Sequence, residues 1–343
     1  MIRIFHNSQF EFLKHWRIAA IVTAVFIGIG VATLAVTGAP KYSIEFTGGT
    51  LMQLQFKTPP DVSELRRTLD DAGITGAEIQ QFGTNLDYTI RARDAKQVEA
   101  QAAGAEGISK QIDAALVKKY GQGAVTIGRT EAVGPKVGSE LRSGAIKAML
   151  LASLFTLIYL AIRFDWRFGL AAVLSTSHDI LVTFAFIKLF DIEVSLTVVA
   201  AILTLLGYSA NDTIIIFDRV RENLRKMRKG ESLSHVLDRA INETLPRSIM
   251  THATTLAATL ALLFVAGEVI RPFALVMTFG VFVATFSSIY VAGPILMWIE
   301  SRYPRAASEA QSRAMRAGAD TPPTPPTPPA SPRARDTDRV AAR

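Results

Sequence analysis

The chain has 343 residues, a formal net charge of +7 and no cysteine. Without thiols it holds neither a disulfide nor a thiolate metal site. A mean hydropathy of +0.27 is high for a water-soluble protein, and the apolar residues fall in clusters.

In chain order, the first cluster is 18–36, preceded by Arg3, Lys14 and Arg17. It is longer than the 7–15 apolar residues of a signal peptide, so an uncleaved first span is expected. Five more follow at 143–162, 168–189, 195–217, 249–267 and 273–299. Each is near the roughly 20 residues that cross a hydrocarbon core. Arg163 and Arg167 lie between the second and third, and eight basic residues between the fourth and fifth, from Arg219 to Arg247. The intervening connections on the other side are short and carry mostly acidic residues. Basic loops face the cytoplasm, which places 1–17 and both termini there and explains the positive charge without nucleic acid.

The insert 37–142 is then on the opposite, periplasmic side and is large enough to be a domain. Residues 42–57 alternate in part and read as one or two strands broken at Gly48-Gly49. Val62, Leu65, Leu69 and Ala72 have helical spacing. Strands are expected at 77–82 and 88–92 around a Gly83-Thr84-Asn85 turn, a long or broken helix at 95–120, and a last strand at 124–133. The order β-α-β-β-α-β is a ferredoxin-like α+β arrangement. The stretch 143–299 is expected to hold membrane helices 2–6, with a basic cytoplasmic loop at 218–248. Within that loop, Val236, Leu237, Ala240, Ile241 and Leu245 predict a separate amphipathic helix at the membrane surface. The tail 300–343, with its near-repeats of Thr-Pro-Pro, is expected to be disordered.

Chemistry concentrates in the fourth span. Asp212 follows Asn211 inside it, seven residues before Arg219, hence roughly 10 Å below the interface at 1.5 Å per residue. An ionisable residue in hydrocarbon costs about 2.5–3.5 kcal/mol or more and marks an ion or proton pathway by default. It reads either as that or as a structural carboxylate tied to a basic neighbour. Asp218 and Arg219 at the exit read as an interfacial pair. Arg247, at the mouth of the fifth span, either snorkels to the interface or pairs with Asp212 and releases it for protonation. Thr251, Thr254, Thr255 and Thr259 share one face of that span, bonding back to their own carbonyls or lining a polar seam. His252 lies beside them and reads more readily as a packing residue than as a relay. Asp179, after His178 in the third span, needs a partner from another helix or belongs to the same relay. No P-loop and no His-Glu-x-x-His is present, so no site for ATP hydrolysis or zinc proteolysis is visible and no enzyme is expected.

Four stretches carry a family resemblance. They are Gly207-Tyr208-Ser209-Ala210-Asn211-Asp212-Thr213 running on to Phe217-Asp218-Arg219-Val220-Arg221-Glu222-Asn223, Glu45-Phe46-Thr47-Gly48-Gly49-Thr50, Val133-Gly134-Pro135-Lys136-Val137-Gly138-Ser139-Glu140-Leu141, and Ser287-Ser288-Ile289-Tyr290-Val291-Ala292. Together they closely resemble the SecF branch of the SecD/SecF protein-export family, of the resistance-nodulation-division superfamily. Glu45 departs mildly, since Asp is common there. The resemblance implies a membrane half that pairs with SecD and works with the SecYEG channel, with YajC as a further candidate partner. It implies use of the proton motive force to complete polypeptide export after the ATP-driven motor SecA, in the bacterial inner membrane. The coupling ion is then the proton, with no resident cofactor or metal, and the family's membrane Asp and Arg fall on Asp212 and Arg247. Two other readings stay open: a proton-driven small-molecule or lipid exporter subunit, and a structural translocon scaffold.

Overall fold

The structure, a computed structural model, describes residues 8–92, 104–227, 231–267 and 269–303. Among them, six helical stretches are long and apolar enough to cross a membrane: Phe12–Thr37, Lys136–Leu160, Trp166–Leu189, Leu196–Arg225, Leu233–Val265 and Arg271–Arg302. The architecture is that of a polytopic α-helical membrane protein.

Helix α1 (Trp16–Thr37) follows a short 3-10 turn. A small domain comes next: α2 (Ile44–Thr47), β1 (Gly49–Phe56), α3 (Val62–Asp71), β2 (Glu78–Gln81), β3 (Asp87–Ala92), α4 (Gly104–Tyr120) and β4 (Val125–Val133). Its sheet has the order β2-β3-β1-β4, with every neighbouring pair antiparallel. Asp61 starts α3 by accepting from the N–H groups of Ser63 and Glu64, at 2.7 and 3.4 Å. Met52, Leu54 and Phe56 alternate onto the covered sheet face. There they meet Leu65 and Leu69 of α3 and Ile108, Ile112 and Leu116, spaced one turn apart on α4.

The expected strand over 42–57 is half wrong. Residues 44–47 form a helical turn, because Phe46 is buried among the membrane helices and not on the sheet. The helix expected over 95–120 is present from Gly104, its earlier part lying outside the described residues.

The bundle continues with α5 (Pro135–Arg163), α6 (Trp166–Leu189), α7 (Leu196–Arg225), α8 (Leu233–Val265), α9 (Arg271–Tyr290) and α10 (Ala292–Arg302). Helix α7 is the central one, packed by α6, α8 and α9. The loop expected at 218–248 is largely helix: α7 runs on to Arg225 and α8 begins at Leu233. The amphipathic stretch and the fifth span are one helix. Leu237, Ile241, Leu245, Ser248 and His252 fall three or four residues apart and are all buried, so one stripe crosses Pro246 without a break. The sixth apolar run is interrupted at Val291. A second unit begins at Glu300, and the proline-rich tail lies outside the described residues.

Candidate functional site, a buried polar layer in the bundle

The bundle has two apolar clusters. One gathers Phe168, Ile216, Phe217, Ile241, Leu245 and Ile289 around the ends of the helices nearest Arg225. The other gathers Ile187, Val198, Ile202, Leu205, Val276 and Val281 toward the start of α7. Four helices turn polar between the clusters. The buried polar residues there are Ser175, Thr176, Asp179 and Thr183 on α6, Ser209, Asp212 and Thr213 on α7, Ser248 and His252 on α8, and Ser287 and Ser288 on α9. Polar side chains buried away from water must find partners, so their pairing reports what the layer does.

Asp179 is fully engaged. Its Oδ2 accepts from Ser287 Oγ at 2.6 Å and from Ser209 Oγ, and its Oδ1 shares a 3.0 Å hydrogen bond with Nδ1 of His178. One carboxylate thus ties α6, α7 and α9 together. The space beside it, lined by Thr176, Thr183, Leu205 and Gly280 among others, is a cavity of about 10 Å³. That is the size of one water at most.

Asp212 is equally buried, at 5% exposure, but half engaged. Its Oδ1 accepts from Ser248 Oγ at 2.6 Å, while its buried Oδ2 has no partner among the described residues. His252 sits one turn beyond Ser248 and takes the Ser248 carbonyl on Nδ1 at 2.6 Å, leaving Nε2 buried and unpartnered. Its ring stands edge-on to Tyr208, one turn before Asp212, with centroids 5.4 Å apart. The buried Tyr208 hydroxyl has no hydrogen-bond partner among the described residues.

The other sequence candidates fall outside this cluster. Asn211 and Arg247 are exposed, and the Arg247 guanidinium makes no ion pair among the described residues. The partner of Asp212 is its neighbour Ser248. Thr251, Thr254, Thr255 and Thr259 all donate to carbonyls of their own helix, at 2.9–3.1 Å. Asp218 and Arg219 do not pair with each other, because adjacent helical residues point about 100° apart. Asp218 meets Arg163 at 3.0 Å, and Arg219 meets Glu222 and Glu243, each at 2.6 Å. Sequence reasoning missed Ser248, Ser209 and Ser287, the donors to the two carboxylates. Ser209 lies three residues from Asp212 yet donates to Asp179, so its spacing gave no signal of its partner.

Residues 112–302 match the family described as protein export membrane protein SecD/SecF, C-terminal, and residues 37–60 match the SecD/SecF GG motif. The chain belongs to the SecD/SecF family. Within it, the chain is 73% identical over 343 residues to the protein translocase subunit SecF of Gemmatimonas aurantiaca, covering 100% of both. It is 38% identical over 286 residues to SecF of Vibrio alginolyticus, covering 83% of this chain and 88% of that one. Among solved structures it resembles SecDF of Thermus thermophilus, described as a translocon-associated membrane protein. The TM-score is 0.76 at 32% identity, over 88% of this chain and 40% of that longer one. A SecDF structure in a super-membrane-facing form matches with a TM-score of 0.61 at 33% identity, over 91% and 41%. The SecD/SecF match covers all four helices of the polar layer, and the GG motif covers α2 and β1.

Proposed function

We propose that the chain is the SecF-type half of a proton-driven accessory unit of the Sec translocase. It pairs with a SecD half and acts with SecYEG, and with YajC as a further candidate, on polypeptides late in export across the bacterial inner membrane. Both termini are cytoplasmic, and the small domain is periplasmic. The split βαβ element order and strand order support a ferredoxin-like reading of that domain.

The observation that carries the proposal is Asp212, buried within a span with one oxygen held by Ser248 and the other bare. Asp179 has no free oxygen and is the anchor of the same layer. Protonation of Asp212 changes what its oxygens accept, and hence how α7 meets α8. Arg247, next to Ser248 on α8, is the cation that takes the carboxylate in the alternate state. A charge crossing 100 mV releases about 2.3 kcal/mol, enough to bias two packings of a helix pair. The test is Asp212→Asn in vesicles with an imposed proton gradient. Gradient-stimulated translocation is lost; undiminished stimulation rules the proposal out.

A further inference from the structure

Residues 41–48 leave the small domain and enter the bundle. Phe46 is buried with Val198, Ile202 and Val276. A Cβ on Gly138 of α5 would fall 3.0 Å from the Gly48 nitrogen and 3.3 Å from the Phe46 carbonyl oxygen, so the two backbones touch. On its other side the segment pairs with the turn between α6 and α7. The Ser43 N–H donates to the Val194 carbonyl at 2.9 Å, and the Val194 N–H donates to the Lys41 carbonyl at 2.8 Å.

Glu45 reaches further. Its Oε2 accepts the N–H of Leu196, the first residue of α7, at 2.6 Å, and the Ser43 hydroxyl at 3.1 Å. A carboxylate there satisfies an open donor and complements the helix dipole. From the sheet, Arg91 of β3, only 9% exposed, pairs with Glu193 on the same turn and approaches Glu78 of β2 at 3.5 Å. Helix α7 is therefore held at its first turn by the small domain. It carries Asp212 roughly 24 Å further on. Helices α1 and α5 are joined covalently to the domain, yet among the described residues neither gives a side-chain hydrogen bond to Asp212 or Asp179.

We propose that Glu45, Arg91 and Glu193 are positioning residues of a fixed joint through which movement of α7 reaches the small domain. The inference rests on the proton-coupled reading above. It routes the coupling through α7 and not through the two spans that flank the domain in sequence.

The chain has no cysteine, so an introduced pair reports the joint cleanly. Tyr42 and Val194 are bridge partners, and Tyr42→Cys with Val194→Cys locks segment and turn together. In the reconstituted translocase, the locked protein keeps at least half of the gradient-stimulated translocation of its reduced form. Arg91→Glu and Glu193→Arg each lower that stimulated part about fivefold, and the double swap restores it to within about twofold. Gradient-independent translocation is unchanged in all of them, which a general folding defect would not spare. An inactive locked protein, unaffected single reversals, or a swap that fails to rescue overturns the joint. Amide exchange at residues 196–198 is a readout independent of proton coupling. Glu45→Ala raises it about fivefold to tenfold, as loss of a helix cap does, and unchanged exchange overturns the joint. Failure of the proton reading shows separately, as undiminished gradient stimulation in Asp212→Asn.

Discussion

Replacing Asp179 by alanine separates the two buried carboxylates by what each holds. Asp179 accepts from serines on two other helices and from His178, so its removal strands donors on α6, α7 and α9. A hydrogen bond to a charged group contributes about 1.5–3 kcal/mol. Ser287 recovers part of its loss, since its hydroxyl already approaches the Ala284 carbonyl at 3.3 Å. Counting Ser209 and His178 alone gives about 3–6 kcal/mol. Relief of the cost of burying a carboxylate offsets some of this, leaving a net loss of about 2–4 kcal/mol. The assay is thermal unfolding of the full chain in lipid nanodiscs, followed by the fluorescence of its three tryptophans. In the same assay Asp212→Asn loses less than about 1 kcal/mol, because one donor is involved and an amide oxygen still accepts it. The reasoning is refuted if Asp179→Ala melts with the unaltered protein, or if Asp212→Asn is the more damaging of the two.

The packing sets three further outcomes. In Gly30→Ala the new methyl would sit 2.5 Å from Ala185 Cβ and 2.8 Å from its Cα. Backbone must move, so α1 separates from α6 at a cost of about 1–3 kcal/mol, read as a lowered unfolding temperature and new protease cutting near residue 38. Arg163→Ala removes an ion pair whose partners are both 44% exposed, and unfolding shifts by less than about 1 kcal/mol. Asp87 closes the β2–β3 turn by accepting from Thr84 Oγ1 at 2.5 Å, the Thr84 N–H at 3.2 Å and Gln55 at 3.1 Å. The Thr84 hydroxyl bond chiefly holds its pKa below the ordinary carboxylate value. Its contribution is therefore present above that ordinary value and is lost as pH falls through the lowered one. The protection factor of the Thr84 amide, its exchange relative to an open chain at the same pH, falls on acidification and becomes insensitive to pH in Asp87→Asn.

The six spans were legible because hydropathy over some 20 residues is a local property. The element order of the small domain was legible for the same reason, its periods of 2 and 3.6 being written along each segment. What failed depended on neighbours. Ile44 and Phe46 alternate as a strand does, but Phe46 finds its apolar surroundings in the bundle, which only the tertiary fold supplies. Basic residues and Pro246 between the fourth and fifth spans suggested a loop, while the buried stripe from Leu237 to His252 continues through them. At the site, the cost of an aspartate in hydrocarbon pointed to Asp212 and Asp179 without any structure. Their partners were not legible, since a serine among serines carries no mark of which carboxylate it faces.

The serines also explain why the layer suits a switch. Were Asp212 to leave Arg247 of the alternate state still charged, a buried charge would stand unpaired, at about 3–5 kcal/mol, so the proton has to bind as the contact is released. A single proton crossing 100 mV does not supply that energy. A serine hydroxyl is a less costly partner to lose: it donates to a carboxylate, and it turns to its own helix carbonyl when the carboxylate is gone. Asp179, with two serines and His178, loses too much to let go, and it fixes α6, α7 and α9 as one body. Asp212, with Ser248 alone, has little to lose at its contact with α8. The motion in the layer is thus that of this body, α7 with it, against α8, little of whose membrane stretch is buried. Proton binding at Asp212 changes the hydrogen bond by which this layer meets α8.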